Sequence, residues 1–286
     1  MSKTEDRDHR ATILDQFSRQ AVPFAELPGH MDEMQMLLEL ASVSNTSTVL
    51  DVACGPGLVA CEFAMKAKHV TGIDITPAMI QKAKQLQKEK QLSNVIWDIG
   101  DVLPLSYGDN CFSIVMTRYS FHHFMDPEAV LTEMIRVCMP GGKVLVADPV
   151  LPDEKVDAYN RVEKLRDPSH TSALTFGHFE KMLNVSGLVD LQRGSYRVEM
   201  ELEKQLKASF PNPGDNEKIR EIFRNDVGAD KLGLGIHYVG EEIHFAYPIS
   251  VYAGRKICWS KAVSESGLSR QNHAIGVTKT EGPARP

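Results

Sequence analysis

Between residues 48 and 147, short β-branched runs alternate with helical stretches, and this alternation constrains the fold more than any other feature of the chain. Candidate strands span 48–52, 70–74, 95–99, 112–116 and 143–147. Between the second and third, Thr76-Pro77 supplies an N-cap and a first helical position, and Met79, Ile80, Ala83 and Leu86 form one apolar stripe. Asp126-Pro127 gives the same start signal between the fourth and fifth. There Val130, Leu131, Met134, Ile135 and Cys138 supply the stripe, and Pro140-Gly141-Gly142 the stop. Such alternation predicts parallel βαβ units, hence an open, Rossmann-like α/β sheet with helices on both faces.

The flanking segments read as decorations on that one domain, which we place at 45–258. Residues 1–44 carry helical spacing at Met31, Met34, Leu37, Leu38 and Ala41. Two helices around a loop at 166–170 are expected within 153–187, then a strand near 189–200. A polar helical insert follows at 201–230, broken at Pro211-Asn212-Pro213-Gly214, before a last strand near 243–253. Residues 259–286 are rich in Ser, Gly, Lys and Pro and are expected to form a disordered tail.

Composition narrows the class. The 286 residues are 42% hydrophobic and 24% charged, enough to bury a core without a disulfide or metal. The five cysteines (54, 61, 111, 138 and 258) are scattered with no C-x-x-C pair, so free thiols and no metal are expected. The net charge of −6, without a long basic run, gives nucleic acid or an anionic membrane little electrostatic hold. The N-terminus lacks the apolar core of a secretory signal, and no apolar run approaches the ~20 residues that cross a bilayer. A cytoplasmic protein without membrane insertion is expected; its oligomeric state is not legible.

The chemistry concentrates where strands end. In Val49-Leu50-Asp51-Val52-Ala53-Cys54-Gly55-Pro56-Gly57 an apolar strand reaches an acid and then a glycine turn before a helix. Gly55 and Gly57 would let backbone N–H groups approach a ligand outside the carboxyl ends of the strands. Gly55-x-Gly57-x-x-Ala60 also satisfies the loose dinucleotide fingerprint, so an NAD(P)-dependent oxidoreductase is one reading. Against it, Asp51 would crowd a pyrophosphate but could receive a cation, and Asp101 ends the third strand where that fingerprint calls for no acid. Asp74, ending the second strand, can accept both hydroxyls of a ribose. Ile75 and Val102 could sandwich a flat base whose exocyclic amine meets Asp101. Three acids at three successive strand ends imply a ligand with an adenosine and a cationic end but no phosphate.

These residues resemble the class I S-adenosylmethionine-dependent methyltransferases, specifically the small-molecule branch of ubiquinone/menaquinone-biosynthesis-like enzymes (methyltransferase type 11). The resemblance spans about residues 12–255 and includes Asp51 and the glycine loop, Asp74, Gly100-Asp101, Phe121-His122-His123-Phe124, Pro140-Gly141-Gly142 and the segment 165–170. Ala53 stands where the family usually has its first glycine. The resemblance implies a seven-stranded sheet with its last strand antiparallel, residues 1–44 as a lid, and the 201–230 insert shaping an acceptor pocket. It implies that Asp51, Ala53, Cys54, Gly55 and Gly57 hold the methionine end of the cofactor, with Arg118 giving its backbone carbonyl to the ammonium and its side chain a strand-end charge. Arg166, Asp167 and His170 would lie on the substrate side, with a plain loop turned by Pro168 as the alternative. Phe17 and Phe24 are candidates to close over the cofactor, ordinary packing being the other reading.

Methyl transfer from a sulfonium is an in-line displacement that needs a nucleophile about 3 Å from the carbon. A general base enters only if that nucleophile must lose a proton. His122 and His123 follow the fourth strand, and an imidazole with pKa near ~6.5 suits that task; the family pattern favours His123. The expected function is methyl transfer to a small organic acceptor. A protein that keeps the pocket without transferring methyl, as a rearrangement catalyst or sensor, is the alternative.

Overall fold

The computed structural model describes residues 3–26 and 33–258. The expected tail at 259–286 lies outside the described residues, as does the side chain of Phe24.

In chain order the elements are α1 (Lys3–Glu26), α2 (Met34–Ala41), β1 (Thr48–Val52), α3 (Leu58–Ala64), β2 (His69–Asp74), α4 (Pro77–Glu89), β3 (Val95–Ile99) and β4 (Phe112–Arg118). A 3-10 turn (Phe121–His123) leads to α5 (Pro127–Val137), β5 (Cys138–Leu151), α6 (Asp153–Arg166), β6 (Leu174–Thr175), α7 (Phe176–Val185) and β7 (Leu188–Glu201). The insert forms α8 (Leu202–Ala208) and α9 (Asp215–Asp226), followed by β8 (His237–Val239) and β9 (Glu242–Lys256).

The main path of the sheet runs β3-β2-β1-β4-β5-β9-β7, with β6 beside β5 and β8 beside β9. The sheet therefore has nine strands rather than the expected seven. The additions are only two and three residues long, too short for alternation to register in sequence. The pairs from β3 across to β5 are parallel, and β9 runs antiparallel to both β5 and β7. The chain order reverses between β1 and β4, which opens a crevice at their carboxyl ends.

Successive strand residues feed two separate cores. Val49, Ile114, Met116, Leu145 and Ala147 pack on one face, whereas Leu50, Val115, Val144 and Val146 pack on the other. That two-sided burial is why these strands read as unbroken apolar runs. α5 starts where Asp126 accepts a bond from the Ala129 N–H (2.9 Å), and it buries Val130, Leu131, Met134 and Val137. Thr76 occupies the N-cap of α4 by position, yet its hydroxyl makes no cap bond. Pro140-Gly141-Gly142 does follow the end of α5, but inside β5, where the register with β4 jumps from Phe112↔Cys138 to Ile114↔Lys143. The long α1 packs against α4 and α8.

Candidate functional site

A cavity of about 430 Å³ opens along the carboxyl ends of the sheet, within the size range of small-molecule sites. One end is walled by the loops after β1, β2 and β3; the other by α6, α8, β7 and β9, with α1 along its side.

At the first end, Ala53, Cys54 and Gly55 line the cavity beside Asp74, Ile75, Asp101 and Val102. Asp74 Oδ2 accepts the Gly55 N–H (2.9 Å) and Oδ1 accepts the Thr76 N–H (2.8 Å). Each oxygen thus holds one backbone donor and keeps lone-pair capacity for a second. Burial pushes the Asp74 carboxyl up, and these two N–H groups pull against it. Asp101 Oδ1 caps the Val102 and Leu103 N–H groups (2.7 and 3.2 Å), and its Oδ2 pairs with Arg10 of α1 at 2.8 Å.

At this end the geometry departs from four expectations. The N–H groups of the glycine loop are not offered to the cavity: Gly55 donates to Asp74, and Gly57 donates to the Cys54 carbonyl (3.1 Å). Gly57 does not line the cavity, and a Cβ there would lie 2.6 Å from the Trp97 ring and 2.8 Å from the Ala83 methyl. Its glycine serves packing at φ +81°. Asp51 does not line the cavity either; it is buried beneath the start of α3. Burial raises its pKa to about 7, with the Asp74 charge adding to the rise and Arg118 opposing it. Its Oδ2 is a buried acceptor with no hydrogen-bond partner. The Arg118 side chain is no strand-end surface charge: it is buried on the cavity wall, 4.5 Å over the Tyr119 ring. Cys54 stays a thiol, because burial and the Asp51 and Asp74 charges push its pKa well up.

The two histidines meet different partners. His122 and His123 both line the cavity, with ring centroids 4.2 Å apart. His122 Nδ1 lies 2.9 Å from Asp148 Oδ1, while Asp148 Oδ2 accepts the Phe121 N–H (2.9 Å). His123 Nδ1 lies 3.1 Å from both the carbonyl and the hydroxyl of Ser169, and the edge of Phe17 packs on its ring at 4.9 Å. Burial, reinforced by His122, lowers the His123 pKa to about 3. That environment keeps the His123 imidazole neutral and weakens it as a base near neutral pH.

Of the segment 166–170, Arg166 and Asp167 line the cavity and His170 does not. His170 instead bonds Asn160 Oδ1 through Nε2 (2.8 Å), and burial holds it neutral. Arg166 clamps Glu163 Oε2 with Nε and Nη2 (2.9 and 2.6 Å). Asp167 accepts from the Ser169 N–H and hydroxyl (2.9 and 2.6 Å) and from Gln20 of α1 (3.1 Å). Burial pushes Asp167 up, but the His123 and Arg166 charges and these hydrogen bonds outweigh it and hold the carboxyl below its usual range. Tyr159, Glu163, Gln205, Ser209 and Tyr247 complete this wall, and sequence reasoning did not single them out. Glu163-x-x-Arg166 was nonetheless visible as an i,i+3 charge pair on one helix.

Among the described residues no group of three or more His, Cys, Asp or Glu is placed to hold a metal. No helix there is long and apolar enough to cross a membrane. A strand-end carboxylate with spare acceptor capacity and an orphaned buried carboxylate oxygen behind the loop fit an adenosyl ligand with a cationic end. The two glycine N–H groups, spent on Asp74 and the Cys54 carbonyl, are not free for a pyrophosphate.

Comparison with known proteins agrees. Residues 44–224 match the family described as "Methyltransferase domain". The chain is 39% identical over 202 residues to a demethylmenaquinone methyltransferase of Deinococcus radiodurans, covering 68% of this chain and 75% of the relative. It is 25% identical over 230 residues to the uncharacterized methyltransferase YcgJ of Bacillus subtilis, covering 79% and 90%. The crystal structure of YcgJ superposes with a TM-score of 0.73 at 23% identity, over 80% of this chain and all (100%) of that one, which shows the shared fold. A putative methyltransferase of Bacillus halodurans gives 0.71 at 26% identity, over 79% and 99%.

Proposed function

The chain belongs to the methyltransferase-domain family of class I enzymes, and on that premise we propose that its cavity binds S-adenosylmethionine and delivers the methyl group to a small organic acceptor. The single observation that carries this reading is Asp74, a cavity-lining carboxylate whose two oxygens each hold one backbone N–H and each keep a lone pair.

Asp74 would take the ribose hydroxyls, and Ile75 and Val102 would flank the adenine beside Asp101. The Arg118 backbone carbonyl would accept from the ammonium, and Asp51, buried directly behind the loop, would favour that cation through its charge rather than by contact. Bound there, the cofactor supplies a methyl on a positively charged sulfur, activated without metal or base. The chain's own residues then have three tasks: to align the acceptor, to exclude water, and to take a proton where the acceptor carries one on its nucleophile.

His122 is the better placed of the two histidines for the proton. With Asp148 holding Nδ1–H, its Nε2 is left as the acceptor, and the carboxylate balances the imidazolium that forms. α1 supplies the water exclusion: His9 Nε2 reaches the His123 carbonyl (2.8 Å), and Gln20 reaches Asp167. These two bonds hold the helix across the cavity as a lid.

The reading is tested in two arms. Calorimetry with S-adenosylhomocysteine on Asp74→Ala should show a loss of about 1–3 kcal/mol, the cost of removing a buried acceptor from its donors. Incubation with methyl-labelled S-adenosylmethionine and a small-molecule extract should yield labelled product and S-adenosylhomocysteine with turnover. Unchanged affinity in the variant removes the ribose assignment; saturable binding without turnover removes methyl transfer.

A further inference from the structure

Apart from the histidines, the polar groups on the far wall of the cavity are largely spent on one another. Arg166 holds Glu163 through two nitrogens and donates its Nη1 to Ser209 Oγ (3.1 Å). Glu163 Oε1 takes the Tyr247 hydroxyl (3.2 Å). Ser209 donates both its N–H (3.0 Å) and its hydroxyl (2.8 Å) to the backbone carbonyl of Gln205. The Gln205 side chain stands apart from this mesh. It lines the cavity, the residue is 7% exposed, and its Oε1 is a buried acceptor with no partner.

The local sequence makes that placement costly. Gln205 sits on the buried stripe of α8 between Leu202 and Leu206. An apolar residue would serve packing there, and a buried amide left unpaired is destabilising. The bonds from Ser209 engage only the main-chain carbonyl of this residue, leaving the side-chain amide no role in holding the wall together. A buried amide that costs stability and braces nothing is accounted for by a molecule that enters the cavity.

We propose that Gln205 orients the acceptor, and that the acceptor meets it with a neutral hydroxyl or N–H donor carried on a flat ring. This deepens, and rests on, the methyl-transfer reading of the same cavity. The flat ring follows from the lining, where Phe17, Tyr159 and Tyr247 join Val198, Met200 and Ile249. Neutrality follows from charge: on the α6 side Arg166 faces two carboxylates, Glu163 and Asp167, whose remaining bonds are internal, while Arg118, the other buried cation lining the cavity, lies over the Tyr119 ring. A carboxylate or phosphate beside α6 would meet one cation already paired against two carboxylates.

The test uses calorimetry on the full chain saturated with S-adenosylhomocysteine, with 2-naphthol, 2-methylnaphthalene and 2-naphthoate as probes. 2-Naphthol should bind about ten-fold more tightly than 2-methylnaphthalene, the worth of one good buried hydrogen bond, and more tightly than 2-naphthoate. Gln205→Leu should erase that advantage while leaving 2-methylnaphthalene and S-adenosylhomocysteine affinity unchanged, and it should not lower the melting temperature. Gln205→Met, of similar length, carries the same expectations should the leucine variant fold poorly. Equal binding of naphthol and methylnaphthalene, preference for naphthoate, no binding of any probe, or a naphthol advantage that survives substitution would each overturn the proposal. Should S-adenosylhomocysteine itself fail to bind, the cofactor reading falls, and the naphthol preference measured on the chain alone still decides this one.

Discussion

Asp51 and Asp74 stand at the ends of adjacent strands, yet only one of them faces the cavity, and that difference has consequences for pH. Asp51 has a pKa raised by burial to about 7, far above its unfolded value. An acid raised in this way contributes stability that is complete below its unfolded pKa and is lost as pH rises through about 7. Asp51→Asn should therefore raise the melting temperature more at pH about 8 than at pH about 5, because the buried charge is avoided. The same variant should bind S-adenosylhomocysteine more weakly at the higher pH, having lost the negative charge behind the loop that favours its ammonium. A melting temperature that falls at both pH values would show Asp51 to be a structural acceptor instead. The histidines separate by the same logic of partners. Asp148→Asn should reduce turnover by about 10²-fold, the lower range for a general base, while S-adenosylhomocysteine affinity holds. Ser169→Ala, beneath His123, should change turnover little; the opposite pattern would return the proton to His123. Strand-end acids were legible because a carboxylate following an apolar run has few structural reasons to be there. Which way each turned was not, since that depended on Arg118 and on the start of α3, elements joined to the loop only by folding.

Among the elements, the βαβ core was legible nearly to the residue: β1 and β3 occupy the expected spans, and α4 and α5 begin at the expected prolines. Their signals are local, in capping and periodicity. What was not legible is how α1 is held, because its partners lie far along the chain. Arg10 pairs with Asp101, Gln16 donates to the Phe210 carbonyl (3.3 Å), and Arg19 sits 4.4 Å over the Phe210 ring. The Arg10 pair occupies the very carboxylate oxygen that an adenine amine would seek. A pair this exposed is worth on the order of 0.2–1 kcal/mol, so Arg10→Gln should tighten S-adenosylhomocysteine binding by at most about five-fold. Added salt, which screens the pair in the parent chain, should have less effect on the variant. Weaker binding in the variant would mean that Arg10 touches the ligand rather than competing with it.

For the molecule as a whole, the two cores and α1 are separable. Among the described residues neither core cluster contains a residue of α1, whose anchors include hydrogen bonds, the Arg10–Asp101 ion pair and ring contacts of Phe17 and Arg19. Those bonds exclude water from groups the sheet alone would leave wet. His123 is the gauge: burial is the first cause of its pKa near 3, and Phe17 of α1 supplies the edge packed on its ring. Removing residues 1–32 should therefore leave a chain that still unfolds cooperatively, because the sheet and both its faces are intact. In that chain the His123 ring, followed by NMR, should titrate well above 3 and toward the ordinary value of 6.5. S-adenosylhomocysteine binding should weaken in parallel as water reaches the cavity. A His123 that stays near 3 after the deletion would place the cause of its desolvation in the 3-10 turn and the loop at 166–170 instead. A non-cooperative melt would show that α1 belongs to the fold's stability and not only to the closure of its site.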